Sequence, residues 1–260
     1  MTEDAEIKAG LRVLLNRHCA LRWRGIGSPC LHERRRPRFT WKSKRGWLQM
    51  VRLLMACVFV AIAAVSVAAQ QLPTSPEPVA VTLDSKTTAL LVLDVAESPC
   101  RTQPKCIALI VRVASLLAAA RKTGVLVIHS SADPSGITAP ITQPPFLGPV
   151  APVRGERVII GGSQDRFYGT LLDQMLRQRS IGTLVLAGWR ENGSLLYTAV
   201  GATIRDYTVV VADDATSAPQ DYDVAVGRYQ LLTQLNANPT NEPLKRAAVT
   251  LSRTDLITFR

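Results

Sequence analysis

Three residues of this 260-residue chain stand where a folded α/β chain does chemistry. Asp94 closes the apolar run Thr88-Ala-Leu-Leu-Val-Leu, Gly161 follows Val158-Ile-Ile160, and Ser194 comes shortly after Thr183-Leu-Val-Leu-Ala-Gly188. In open α/β sheets ligands lie beyond the carboxyl ends of the strands, so residues just past a strand are the ones a substrate meets. A carboxylate and a hydroxyl so placed suit acyl transfer: the carboxylate takes a proton, the serine oxygen attacks, and a helix amino terminus after Gly188 stabilises the oxyanion. Such a serine needs a positioned base, whereas a cysteine thiol with a pKa of about 8.5 needs only modest help. Arg190, Asn192 and Gly193 share the loop of Ser194 and are candidate pocket residues, and Arg190 and Lys105 are candidate cations at the carboxyl edge, although the more ordinary role for both is a surface charge. Gly193-Ser194 is not a nucleophile elbow, because Asn192 and Leu196 stand where G-x-S-x-G requires glycines. The segment His129-Ser-Ser-Ala-Asp133-Pro134 offers one histidine and one aspartate, too few ligands for a metal, and neither metal nor cofactor is expected.

The elements that must position these residues alternate regularly. Continuous apolar runs of strand length fit strands buried on both faces of a parallel sheet. Strands are expected at 88–94, 125–130, 157–160, 183–188, 207–212 and 248–251. Helices are expected between them at 104–123, 165–179, 192–205 and 222–235. Pro104 suits a first helical turn, Ile107, Ile110, Val111, Ala114, Leu117 and Ala118 fall at helical spacing, and Gly124 is a stop. This pattern predicts a three-layer α/β/α, doubly wound, mostly parallel six-stranded sheet over residues 81–260. The loop 131–156 holds six prolines and reads as a lid or active-site rim.

The run ending in Asp94, the segment Phe167-Tyr-Gly-Thr170-Leu171, the block from Thr183 through Gly188 to Thr198-Ala199, and Asp206 through Asp213-Asp214-Ala215 together resemble the isochorismatase-like cysteine hydrolases. The resemblance spans roughly 87–218. It implies a catalytic Asp, Lys and Cys, in which Asp94 matches the Asp. The nucleophile position, six residues after the strand-ending Gly188 and four before Thr198, falls on Ser194. The Lys position, six before Phe167, falls on Gly161. Thiol and cation are thus both replaced, and the resemblance implies that Ser194→Cys together with Gly161→Lys would raise activity. The implied strand order 3-2-1-4-5-6 sets His129, the only histidine after residue 69, two strands from Ser194, about 10 Å away at ordinary strand spacing. His129 and Phe167 are therefore expected to line the pocket rather than to act on the serine. The family also suggests a homo-oligomer.

Charge separates the chain into unlike parts. Residues 1–69 hold 13 Lys or Arg against 4 Asp or Glu, and the remainder 18 against 16. The basic character belongs to the leader, and the domain offers no basic patch for nucleic acid. Residues 1–49 form a basic extension, with translation from Met50 an alternative start. Residues 50–69 contain the uncharged stretch 53–69 closing on Val-Ala-Ala, which reads as a secretory signal cleaved near Gln70, or alternatively as a short membrane anchor, the one membrane contact expected. Residues 70–80 form a Pro-rich arm. In an exported, periplasmic or secreted protein Cys100 and Cys106 are expected to pair as a disulfide, the alternative being two reduced thiols. Two functional readings follow. One is a hydrolase acting on, or binding, a small amide, ester or vinyl ether through Ser194 and Asp94. The other, preferred on the triad alone, is an inactive relative that keeps the pocket to bind a small molecule or an assembly partner.

Overall fold

The computed structural model describes residues 74–132, 145–234 and 236–260, with isolated positions 47, 49, 51, 52 and 55 before them. The chain divides into Met1–Ala68 and Ala69–Arg260, and the second unit carries everything described below. Among the described residues no helix is long and apolar enough to cross a membrane. Apart from position 55, the stretch 53–69 read as a signal or anchor lies outside them.

Six parallel strands form the main sheet: β2 (Thr88–Leu93), β3 (Leu126–Ala132), β4 (Arg157–Gly161), β5 (Thr183–Trp189), β6 (Thr208–Ser217) and β7 (Val249–Ser252), in the order β4-β3-β2-β5-β6-β7. Every residue of β2 is buried, as its unbroken apolar run requires of a central strand covered on both faces. Alternate residues feed two separate cores. Leu90, Val92, Val127 and Val185 pack on one side with helix α2 (Pro104–Thr123), while Leu91, Leu93, Leu184 and Leu186 pack on the other with Leu172, Leu176 and Ala199. The remaining helices are α1 (Glu97–Cys100), α3 (Leu172–Arg177), α4 (Leu196–Ile204) and α5 (Asp221–Thr233). Pro104 stands in the first turn of α2, and Gly124, at φ 77°, ends it in the left-handed conformation that glycine adopts without a Cβ penalty.

The structure corrects the sequence reading at several points. The face α2 buries is Cys106, Leu109, Val113, Leu116, Leu117 and Ala120, leaving Ile107 and Val111 exposed. The helix is apolar nearly all round, so spacing locates it without fixing which stripe faces inward, and the buried Cys106–Cys100 disulfide marks the inward side. The helix expected over 165–179 is only α3, because 163–171 is a series of turns. A second, two-stranded parallel sheet joins β1 (Val81–Leu83) to β8 (Ile257–Phe259), elements of three residues with no periodicity to read. The arm before β1 is fastened to the domain: Val79 N–H donates to Leu251 O at 3.0 Å, and Asn241 Nδ2 donates to Glu77 O at 2.9 Å. Residues 133–144 of the Pro-rich loop read as a lid or active-site rim lie outside the described residues.

Candidate active site

From β2 the chain builds outward through β3 and β4, then returns to the other side of β2 to make β5. The chain segments leaving β2 and β5 therefore part at this switch point and open a crevice. Gly188, at φ 127°, brings β5 against β2 so closely that a Cβ there would lie 2.1 Å from Leu93 O, and no other residue fits. One residue beyond β2, Asp94 turns with φ 54°, its N–H held by Ser130 O at 2.9 Å. Beyond β5 the Trp189–Arg190 peptide is cis, and a five-residue π turn, Glu191–Leu195, carries Ser194 into α4.

Asp94 and Ser194 meet there, although a hundred residues separate them in sequence. The Ser194 hydroxyl donates to Asp94 Oδ2 in a short hydrogen bond. A third residue completes the group. Arg166 is almost wholly buried, and its Nη2 donates to Asp94 Oδ1 at 2.8 Å, to Asp94 Oδ2 at 2.6 Å and to Ser194 Oγ at 3.1 Å. The turns of 163–171 aim this side chain inward: Asp165 Oδ1 accepts the Phe167 N–H at 2.9 Å, and Thr198 Oγ1 of α4 accepts the Arg166 N–H at 3.2 Å. Burial pushes the Asp94 carboxyl above its usual range, with the Arg166 charge and the Ser194 and Arg166 hydrogen bonds opposing. The trio borders a pocket of about 350 Å³, which Ser131, Gly161, Gln164, Trp189, Arg190 and Gly193 also line.

The family model for the isochorismatase domain matches residues 88–241, more than half of the chain. The chain belongs to the isochorismatase family. Solved structures share the fold. An isochorismatase family protein from Desulfovibrio vulgaris is 24% identical, covers 65% of this chain and 95% of its own, and gives a TM-score of 0.52. N-carbamoylsarcosine amidase from Thermoplasma acidophilum is 22% identical over 65% of this chain and 97% of its own, with a TM-score of 0.53. A cysteine hydrolase from Pseudomonas syringae pv. phaseolicola is 20% identical over 70% and 95%, with a TM-score of 0.56. No match was found among curated proteins.

Within this isochorismatase-family site the residues singled out from the sequence fall in different places. Asp94, Gly161, Arg190, Gly193 and Ser194 border the pocket. Asn192 stands behind the rim, its Oδ1 accepting from Arg190 Nε at 3.0 Å. His129 and Phe167 do not line the pocket. His129 is fully buried on the α2 side of the sheet, where its Nε2 lies 2.8 Å from Glu156 Oε2, and Arg121 of α2 holds the same carboxylate. Burial lowers the His129 pKa, with Glu156 opposing. Burial would raise Glu156, yet hydrogen bonds from Arg121, the Val153 N–H and His129 bring it to about 2. Phe167 packs into the core instead, stacked on Tyr207 with Arg205 over its outer face. Lys105 pairs with Asp221 and is not near the trio. Cys100 and Cys106 are joined as a disulfide beneath α2. Among the described residues no group of His, Cys, Asp and Glu is gathered to hold a metal, and Asp133 lies outside them.

Arg166 is the residue that sequence reasoning missed. Its signal is slight: it directly precedes Phe167, but in a presumed helix it reads as one more surface arginine beside Arg177 and Arg179.

Proposed function

We propose that the protein is an exported hydrolase of a small amide or ester, with Ser194 as nucleophile and Asp94 as its base. The observation that carries this reading is the hydrogen bond from the Ser194 hydroxyl to Asp94 inside the pocket. Ser194 stands at the position the family resemblance gives to cysteine, so the hydroxyl depends on the carboxylate lying within reach of its proton. In the first step Ser194 Oγ bonds to the carbonyl carbon, its proton passes to Asp94, and the carbonyl π pair moves onto oxygen. Collapse re-forms the carbonyl and expels the amine or alcohol, which leaves with the proton from Asp94. Water then attacks the acyl-serine, again giving a proton to Asp94, and Ser194 regains its proton as the acid departs. Burial that raises Asp94 makes it a stronger base than an exposed aspartate.

Residues 53–69 direct export, and the mature chain begins near Gln70, with a membrane anchor the alternative. The Cys100–Cys106 disulfide suits an oxidising compartment.

One observation favours a second reading, that the pocket binds a small molecule without turning it over. The Asp94 charge is matched by Arg166, which weakens any carboxylate as a proton acceptor. A panel of small amides and esters assayed with wild type and Ser194→Ala decides between them. Turnover that disappears in Ser194→Ala supports the hydrolase. Saturable binding without turnover, equal in both proteins, supports the binding reading.

A further inference from the structure

The geometry points to Arg166 as the cation that sets the ionisation of Asp94 and the aim of the Ser194 hydroxyl, with the bare backbone of Gly161 making room for it. This inference rests on the reading of Ser194 as nucleophile for its kinetic consequence, but not for its effect on Asp94. The guanidinium has five N–H donors, and its three nitrogens divide between anchoring and chemistry. Nε donates to Ser130 Oγ at 3.1 Å, and Nη1 donates to Gly161 O at 3.2 Å and to Ser163 O. These contacts fix the side chain. Nη2 alone faces both Asp94 oxygens and Ser194 Oγ.

That division differs from an ion pair built for cohesion, in which the fork sets two nitrogens against two carboxylate oxygens. Here a single nitrogen is shared between the proposed base and the proposed nucleophile. It also settles where the serine proton lies. Ser194 Oγ accepts from Nη2, so its one hydrogen is left to point at Asp94 Oδ2, an oxygen able only to accept while ionised. Arginine does not surrender its proton, so its part is to hold charge and direction, not to relay protons.

Gly161 is the other half of the arrangement. A Cβ built there would lie 3.4 Å from Thr170 Cγ2 and 3.8 Å from Arg166 Nη1. A methyl group fits, but a longer side chain continuing in that direction enters the space of the guanidinium. A lysine at 161 and the arginine at 166 therefore compete for one place. The family resemblance implies a gain from Ser194→Cys together with Gly161→Lys; on this geometry the Gly161→Lys half works against that gain, because in the presence of Arg166 it displaces the working cation.

The test measures Asp94 directly. The carboxyl carbon is titrated by carbon-13 NMR, and kcat for 4-nitrophenyl acetate is measured, in wild type, Arg166→Gln, Arg166→Lys, Gly161→Lys and the pair Gly161→Lys with Arg166→Ala, with urea unfolding used to confirm that each variant folds. In Arg166→Gln the Asp94 pKa should rise by roughly 1 to 3 pH units, and kcat should fall on the order of 10²-fold. Arg166→Lys should keep Asp94 near its wild-type pKa yet lose kcat, having charge without the fork. Gly161→Lys alone should lower kcat, and the pair should recover part of both quantities relative to Arg166→Gln. An Asp94 titration unchanged in Arg166→Gln overturns the inference, as does a gain in kcat from Gly161→Lys alone. If Asp94 shifts as expected while no variant, wild type included, shows turnover, the hold of Arg166 on Asp94 stands and the hydrolase reading falls.

Discussion

Raising the pH from 5 to 8.5 should weaken the fold in part through Glu191, and Glu191→Gln should remove that part. Glu191 is fully buried at the head of the turn that carries Ser194. Its Oε2 accepts from Thr216 Oγ1 at 3.1 Å, while its Oε1 lies 3.3 Å from Arg228 Nε, which also lies 2.5 Å from Asp213 Oδ1. One guanidinium thus serves a buried carboxylate and a half-buried one. Burial raises the Glu191 pKa from 4.5 to about 7, with Arg228 opposing and Asp213 adding to the rise. A carboxyl raised in the folded state binds its proton more tightly there than in the unfolded chain. Its stabilisation is present in full below pH 4.5 and is lost as pH climbs through 7. At about 1.4 kcal/mol per pH unit, that loss approaches ~3 kcal/mol, a large part of a total stability of roughly 5 to 15. Asp213, also raised by burial, adds to it with the same sign. His129 acts oppositely below its usual pKa of 6.5, because burial lowers its pKa in the fold, so the difference between the two proteins is the quantity to read. Urea unfolding at constant ionic strength should show Glu191→Gln within about 1 kcal/mol of wild type at pH 5 and more stable by up to ~3 kcal/mol at pH 8.5. A stability difference independent of pH would mean that Glu191 does not take up its proton more tightly in the fold.

Other consequences follow from single contacts. A Cβ on Gly201 of α4 would lie 2.6 Å from Asp165 Oδ1, the atom that holds the turn before Phe167. Gly201→Ala should therefore destabilise by about 1 kcal/mol or more in urea unfolding, against the gain of roughly that size from helix propensity, and should lower any kcat because Arg166 moves with the turn. Unreduced mature protein should show no free thiol from Cys100 or Cys106 by thiol counting. Amino-terminal sequencing of exported protein should begin near Gln70; a chain still carrying Arg45 would make the segment an anchor.

The central strands β2 and β5 were legible because each is a nearly unbroken apolar run, and burial on both faces of a parallel sheet demands just that. That Asp94 and Ser194 border the pocket was legible for a related reason: in open α/β sheets ligands lie beyond the strand ends at the switch point. What failed depends on contacts rather than pattern. The inward stripe of α2 could not be told from its apolar outer stripe, and β1 and β8 exist only because they pair with each other across the domain. Arg166 was hidden by a secondary-structure error, since a helix over 165–179 would turn it toward solvent, whereas the observed turns bury it. His129 was misplaced because strand position reveals depth along the sheet but not the face, and its face belongs to Glu156 and Arg121.

The central claim is that Ser194 attacks acyl carbon with Asp94 as its base, and intact-protein mass spectrometry tests it most directly. The protein is mixed with excess 4-nitrophenyl acetate and quenched in acid within the first turnover. One added acetyl group is expected, localised to Ser194 by peptide mapping, absent in Ser194→Ala and formed far more slowly in Asp94→Asn. Acetylation spread over lysines, or equal in wild type and Ser194→Ala, would contradict it.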